Sequence, residues 1–280
     1  NGDIVKADNK YRSQIESWLN KNGVKYNQLS FNKLLANYYI DDKGFKPDEF
    51  INIIIEPITS GHSGALIYRD NQYVHKDTPL AHNVIKWVNI AKNHINTPKI
   101  HSLIGTSIKM DYIQDEGNIT IGDIVKIVKQ LREIKQYNLS SFDTYLLRIK
   151  KHLEYNQMDN KLLHKLKDFE DIYTRERSFC HGDLALDNML KNNGIIYLID
   201  PIYEEGLWSS WMLDVSKAMH SARKFGNDEL YLQLKDSYSD YLEPLYILEL
   251  SQWARILKYE NNEILYNNYK NLLENDLKNL

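Results

Sequence analysis

The run His181-Gly182-Asp183-Leu184-Ala185-Leu186-Asp187-Asn188, followed eleven residues later by Ile199-Asp200-Pro201, constrains the fold more than any other feature. Between them lie two apolar runs, Met189-Leu190 and Ile195–Ile199, separated by Asn193-Gly194. Both turn residues tolerate positive φ, so the spacing predicts a tight hairpin. A hairpin there folds the chain back and sets Asp200 beside Asn188, with Asp183 on a loop at the entrance. Gly182 lets the backbone turn tightly. Phosphoryl transfer to a hydroxyl needs a carboxylate to take the proton, oxygen ligands for Mg²⁺ and cations on the phosphates. Asp183 supplies the first; Asn188 and Asp200 supply hard oxygen ligands.

The texture of the chain changes along its 280 residues. Tyr11, Ile15 and Trp18/Leu19 recur at helical spacing and predict a helix over 8–21. A second short helix is expected over 31–39. Ile51–Ile58, Ala65–Tyr68 and Tyr73–Lys76 read as a three-stranded antiparallel meander, with a turn at Asp70-Asn71. A helix over 79–94 follows, then strand-like segments over 98–113. From Gly117-Asn118 onward the pattern is mainly helical, with helices over 121–134, 142–155, 160–174 and from Trp208 to Leu280. One β island, Phe179–Asp183 with the hairpin after it, interrupts that half. The expected architecture is α+β: a small antiparallel β-rich lobe over 1–113, and a larger helical lobe over 114–280.

Three further features agree with a nucleotide site. Ser60-Gly61-His62-Ser63-Gly64-Ala65 joins the first two strands, where glycines let backbone N–H groups approach phosphate oxygens. It is neither a P-loop nor a dinucleotide fingerprint. Lys76 lies on the third strand and shares a face with Val74, which directs it toward the cleft. Met110-Asp111-Tyr112-Ile113 sits between the two textures and resembles a kinase-type hinge, which implies backbone contacts of Asp111 and Ile113 to an adenine edge, while an edge strand followed by a loop reads the same.

The His-Gly-Asp-x-x-x-x-Asn loop and the downstream Ile-Asp resemble the aminoglycoside phosphotransferase/choline kinase family. The Ser-Gly-x-Ser-Gly-Ala run at 60–65 is similar to that family's nucleotide-covering loop. The resemblance implies the bilobal protein-kinase-like fold, with Asp183 as catalytic base, His181 as loop organiser, Asn188 and Asp200 as Mg²⁺ ligands, and Lys76 on the α/β-phosphates. It implies ATP, or GTP in its place, with Mg²⁺ as cofactors. The reaction implied is transfer of the γ-phosphoryl group to a hydroxyl of a sugar, an aminoglycoside, a choline-like molecule or a related acceptor. His-Gly-Asp in place of His-Arg-Asp, with no Asp-Phe-Gly or Ala-Pro-Glu match, points away from protein kinases. One departure stands out: kinase-like folds pair the lysine with a Glu on the next helix, yet 79–94 contains no Asp or Glu. Asp77 or an acid from elsewhere must then hold Lys76, or the chain is a nucleotide-binding pseudokinase.

The acceptor end is less specific. Glu204, Trp208 and Trp211 lie in an aromatic-rich segment where rings beside carboxylates suit a cation or a sugar face, while core packing explains the rings equally well. Asp214, Lys217, His220 and Arg223 recur at helical spacing and suit an anionic acceptor or surface ion pairs. A net charge of -3 gives no general attraction to nucleic acid or anionic membrane. No apolar run is long enough to span a bilayer, and no signal peptide is evident. Cys180, the single cysteine, forms no internal disulfide, so a reducing cytoplasmic setting is expected, with Cys180 as a small buried hydrophobe.

Overall fold

The computed structural model describes residues 4–21, 23, 55–57, 65–70, 72–135, 140–204, 206–260 and 262–278. The helix expected over 31–39 and the loop Ser60-Gly61-His62-Ser63-Gly64 lie outside the described residues. The chain divides into two compact units, Asn1–Ile54 and Ile55–Leu280. In the first, α1 (Ile4–Lys21) covers and extends the helix expected there.

The second unit opens with a five-stranded antiparallel sheet in the order β1-β2-β3-β5-β4. Its strands are β1 (Ile55–Pro57), β2 (Leu66–Asp70), β3 (Tyr73–Asp77), β4 (Ile100–Ile104) and β5 (Ser107–Asp111). Over the described residues the expected meander is present, its first strand as Ile55–Pro57 of the run expected over 51–58, and the material over 98–113 adds two further strands to it. Helix α2 (Ala81–Ala91) crosses between β3 and β4 and carries two buried stripes. Ala81 and Val84 pack with Ile108 of the sheet. Trp87 and Ala91 join the large core of the helical part. One helix thus belongs to both cores.

That helical part is built from α3 (Ile121–Glu133), α4 (Asp143–Tyr155), α5 (Lys161–Asp168), α6 (Glu170–Arg175), α7 (Trp211–Lys224), α8 (Asp228–Ser237), α9 (Leu242–Leu257) and α10 (Glu263–Lys278). Helix α3 starts with a capping box between Thr120 and Asp123 and buries Ile124, Ile127, Val128 and Leu131 at one-face spacing. Helix α7 is different: from Trp211 to Ala222 every residue is buried. A helix buried all round sits in the middle of a core, and α9 packs along it. The single helix expected over 160–174 is two, because Phe169 leaves helical geometry (φ −109°, ψ 13°). The break turns Tyr173 inward, where its hydroxyl donates to the Pro244 carbonyl at 2.8 Å.

The β island needs one correction. Phe179–Asp183 forms no strand; the His181 and Gly182 amides turn to the Asp214 side chain instead of a neighbouring ladder. Only β6 (Met189–Asn192) and β7 (Ile195–Leu198) pair, through the Asn193-Gly194 turn, with φ of 49° and 73°. Strand β7 ends one residue early because the Ile199 amide donates to the Asn188 carbonyl at 3.1 Å. The hairpin is fastened to the first half of the unit, where the Leu198 amide donates to the Asn96 carbonyl at 3.0 Å. No helix among the described residues is long and apolar enough to cross a membrane.

Trp87 carries much of the junction between the two cores. Its ring is fully buried against Phe179 and edge-on to His181 at 5.2 Å, and its Nε1 donates to the Cys180 carbonyl at 2.8 Å. Trp87→Ala should lower unfolding stability by about 3–5 kcal/mol, read as a drop in the urea midpoint at unchanged slope.

Candidate active site

The loop His181–Asn188 is shaped by a carboxylate beneath it. Asp214, on the first turn of α7, is fully buried and accepts the His181 amide through Oδ2 and the Gly182 amide through Oδ1, both at 2.8 Å. The loop also returns on itself, since the Ile202 amide donates to the His181 carbonyl at 2.9 Å. Gly182 sits at φ +79°, and a Cβ there would lie 2.4 Å from the Ile202 carbonyl oxygen. Only glycine fits both the angle and the space. Burial pushes the Asp214 carboxyl up to about 7, against the two amide bonds and together with the nearby charge of Asp183.

His181 is also fully buried, beside Trp87. Burial lowers its pKa to about 4, opposed by the charges of Asp183 and Asp200. A neutral, enclosed imidazole suits a packing role in the loop. Cys180 is buried, and burial raises its thiol pKa well above the ordinary value, which leaves it inert as expected.

Asp183 emerges from this cradle half-buried. Its Oδ1 lies 3.1 Å from Lys217 Nζ, and its Oδ2 accepts Asn188 Nδ2 at 3.2 Å. Asn188 Nδ2 also donates to the Asp183 carbonyl at 2.8 Å, which fixes the amide and leaves its oxygen available. Burial pushes the Asp183 carboxyl up, but Lys217 and Arg255 outweigh it and hold the group below its ordinary value. Asp183 is therefore ionised at neutral pH and able to orient a hydroxyl and take its proton.

Lys76 and Asp200 meet from opposite parts of the unit. Lys76 Nζ lies 2.5 Å from Asp200 Oδ1, although the residues are 124 positions apart. The acid missing from the helix after β3 is thus replaced by Asp200, at the end of the hairpin. Asp200 adopts φ 57°, a left-handed turn that aims its side chain back toward the sheet. The oxygens of Asn188 and Asp200 suit a hard cation that keeps several waters and phosphate oxygens. No cluster of three or more His, Cys, Asp or Glu exists among the described residues, so an all-protein metal cage is not formed there.

The stretch after β5 is tied to the hairpin. The Glu116 amide donates to the Lys191 carbonyl at 2.7 Å, and Asp115 Oδ1 accepts the Lys191 amide at 2.9 Å. Asp111 has its amide on the Lys99 carbonyl at 3.0 Å and its carboxylate on His101 at 2.6 Å. Its N–H is therefore already spent within the fold, whereas Ile113 makes no backbone hydrogen bond among the described residues.

The aromatic segment is mostly core. Trp208 is 1% exposed and packs with Phe142, Tyr145 and Tyr173. Trp211 is 2% exposed, donates to Glu176 Oε2 at 3.1 Å and lies under Arg132. Only Glu204 is open, 3.7 Å from Arg148. The charged row on α7 does not form a shared basic face. Asp214 holds the loop, Lys217 meets Asp183, His220 packs on Trp253, and Arg223 pairs with Glu249 and Asp276. Arg148 and Arg255, which face the same cleft, carry no sequence signal: each is an isolated arginine in an ordinary helical pattern.

No protein-family model and no curated protein matches the chain. Solved structures do. The choline kinase from Streptococcus pneumoniae superposes with a TM-score of 0.59 at 14% identity, covering 82% of this chain and 95% of that one. The Plasmodium vivax ethanolamine kinase gives 0.56 at 16% identity, covering 83% of each chain. The streptomycin-ATP-APH(2″)-IIa ternary complex gives 0.52 at 14%, covering 80% of this chain and 92% of that one. The chain shares their protein-kinase-like fold, with a small antiparallel sheet followed by a helical C-terminal part.

Gly182→Ala should cost several kcal/mol or displace the loop, seen as a lowered Tm and a disturbed Trp87 fluorescence. Asp214 has a second consequence. Its raised pKa means the folded state holds a proton that the unfolded state has released. The stability it confers is therefore lost as pH rises from the ordinary carboxylate range toward about 7. The stability difference between the wild type and Asp214→Asn should accordingly shrink over that interval, measured by denaturant titrations at stepped pH.

Proposed function

We propose that the chain is a phosphotransferase that moves the γ-phosphoryl group of ATP to a hydroxyl of a small molecule. The observation that carries this reading is the convergence of four groups from distant segments. Asp183 stands on a loop held by Asp214, Asn188 is locked to it, and Asp200 meets the buried Lys76. The fold shared with choline and ethanolamine kinases agrees with it.

In this account the sheet up to residue 113 and the helical part from 114 form the two lobes. The 60–64 loop (Ser60-Gly61-His62-Ser63-Gly64) covers the phosphates, and Lys76 neutralises their charge. Ile113 meets the adenine edge through its free backbone groups, while Asp111 contributes at most its carbonyl. Asn188 and Asp200 would hold Mg²⁺, which supplies charge neutralisation on the phosphate oxygens when bound. Asp183 accepts the hydroxyl hydrogen and aligns the oxygen with the γ-phosphorus. A new O–P bond forms, the β–γ bridging bond breaks, ADP leaves, and the proton passes to Asp183. A carboxylate held below its usual pKa is a weak base, which suits a loose transition state in which positioning outweighs proton abstraction. ATP and Mg²⁺ as substrates agree with a cytoplasmic setting.

Asp183→Asn should reduce acceptor-dependent ADP formation by at least ~100-fold while preserving the nucleotide-induced rise in Tm. Lys76→Ala should weaken that rise itself. Nucleotide binding with equal residual ADP release in wild type and Asp183→Asn would favour a binding protein that does not transfer phosphate.

A further inference from the structure

The cleft beside the Asp183 loop is bounded by Gly182, Tyr145, Glu204, Trp208, Arg148 and Arg255. It has about 30 Å³ of room for the centres of water-sized groups and is partly open to solvent. Two guanidinium groups face it, and their countercharges are incomplete. Arg148 lies 3.7 Å from Glu204, beyond hydrogen-bond length. Arg255 donates to the neutral Gln252 amide oxygen at 2.5 Å and meets no carboxylate among the described residues. Lys217, the next cation inward, is already engaged by Asp183. Like charges held together and partly removed from water repel one another, and an anionic ligand offsets that cost directly.

Neighbouring groups register the same positive field. Burial lowers the Arg148 pKa, and Arg255 lowers it further. Burial, then Arg255, Arg148 and Lys258, bring His152 down to about 4. Arg255 also helps Lys217 hold Asp183 ionised. A quaternary ammonium or a polyamine would enter this field against repulsion, with Glu204 the one carboxylate among the described lining residues to offset it.

We infer that the acceptor is an alcohol carrying a carboxylate or phosphate group, held by Arg148 and Arg255 so that its hydroxyl meets Asp183. This rests on the phosphotransferase reading. The anionic head enters the small arginine-lined room, and the rest of the molecule extends toward the loop, where its hydroxyl gives its proton to Asp183 as the O–P bond forms. Specificity then comes from charge: a neutral analogue leaves Arg255 with only the neutral Gln252 amide and Arg148 with only the distant Glu204 carboxylate.

The test uses the full chain with ATP and Mg²⁺ and matched acceptors: glycerol, glycerate and glycerol 3-phosphate; glucose, glucuronate and glucose 6-phosphate; with choline and kanamycin as cationic controls. At least one anionic member should exceed its neutral partner in kcat/KM by tenfold or more, and the carboxylate and phosphate arms identify the head group. Arg255→Met and Arg148→Met should each raise the KM for that acceptor by about 10–100-fold, leaving the KM for ATP unmoved. Binding of the same anion to Asp183→Asn, followed by thermal shift, should also be lost in Arg255→Met. Preferential turnover of neutral or cationic acceptors overturns the inference while upholding the kinase. Anion binding that depends on Arg255 without any turnover upholds the site and overturns the kinase. Neither binding nor turnover with any anion overturns the inference.

Discussion

The two hydrogen bonds from the His181 and Gly182 amides to the Asp214 carboxylate hold the rest of the site in place. They replace the strand ladder that this stretch would otherwise join, and they anchor the His181–Asn188 loop to α7, whose residues from Trp211 to Ala222 are all buried. The cost is a carboxylate buried with no cation on it, visible as a pKa near 7. Gly182 completes the arrangement because its positive φ and its missing Cβ let both amides point down while the Ile202 carbonyl passes close above. Asp183 then projects from a rigid base and not from a mobile turn.

The charges around that base form a chain of partial neutralisations. Lys76 is held by Asp200, Lys217 by Asp183, and Arg148 loosely by Glu204. In the proposed reaction, nucleotide phosphates would compete with Asp200 for Lys76 and free an Asp200 oxygen for a metal. The proposed acceptor anion would complete Arg255, which meets no carboxylate among the described residues. The hairpin between Asn188 and Asp200 is fastened both to the Asn96 carbonyl and to the 114–116 stretch, so one element joins the sheet's end to the loop carrying Asp183.

Much of this was legible in the chain itself. The Asn193-Gly194 turn predicted the hairpin, and the hairpin predicted that Asp200 returns beside Asn188; local turn chemistry is strong enough to decide this. Lys76 was legible from strand order, but its partner was not, because a contact across 124 residues leaves no local pattern. Phe179–Asp183 reads as a strand from its apolar letters, and only the Asp214 carboxylate explains why it is a loop. Trp208 and Trp211 show how little an aromatic run decides by itself: both rings are almost wholly buried and their N–H groups find Tyr173 and Glu176, while Trp208 also borders the cleft. Arg148 and Arg255 were invisible because each is an ordinary helical arginine until α4 and α9 bring them to one cleft.

The central claim is that the Asp183 loop directs phosphate onto a hydroxyl. The direct measurement is ³¹P NMR of a reaction containing the protein, ATP, Mg²⁺ and an anionic alcohol. The account predicts a new phosphate-monoester resonance that grows in step with ADP and is absent with Asp183→Asn. Loss of ATP signal to inorganic phosphate alone, at the same rate in both proteins, would contradict it.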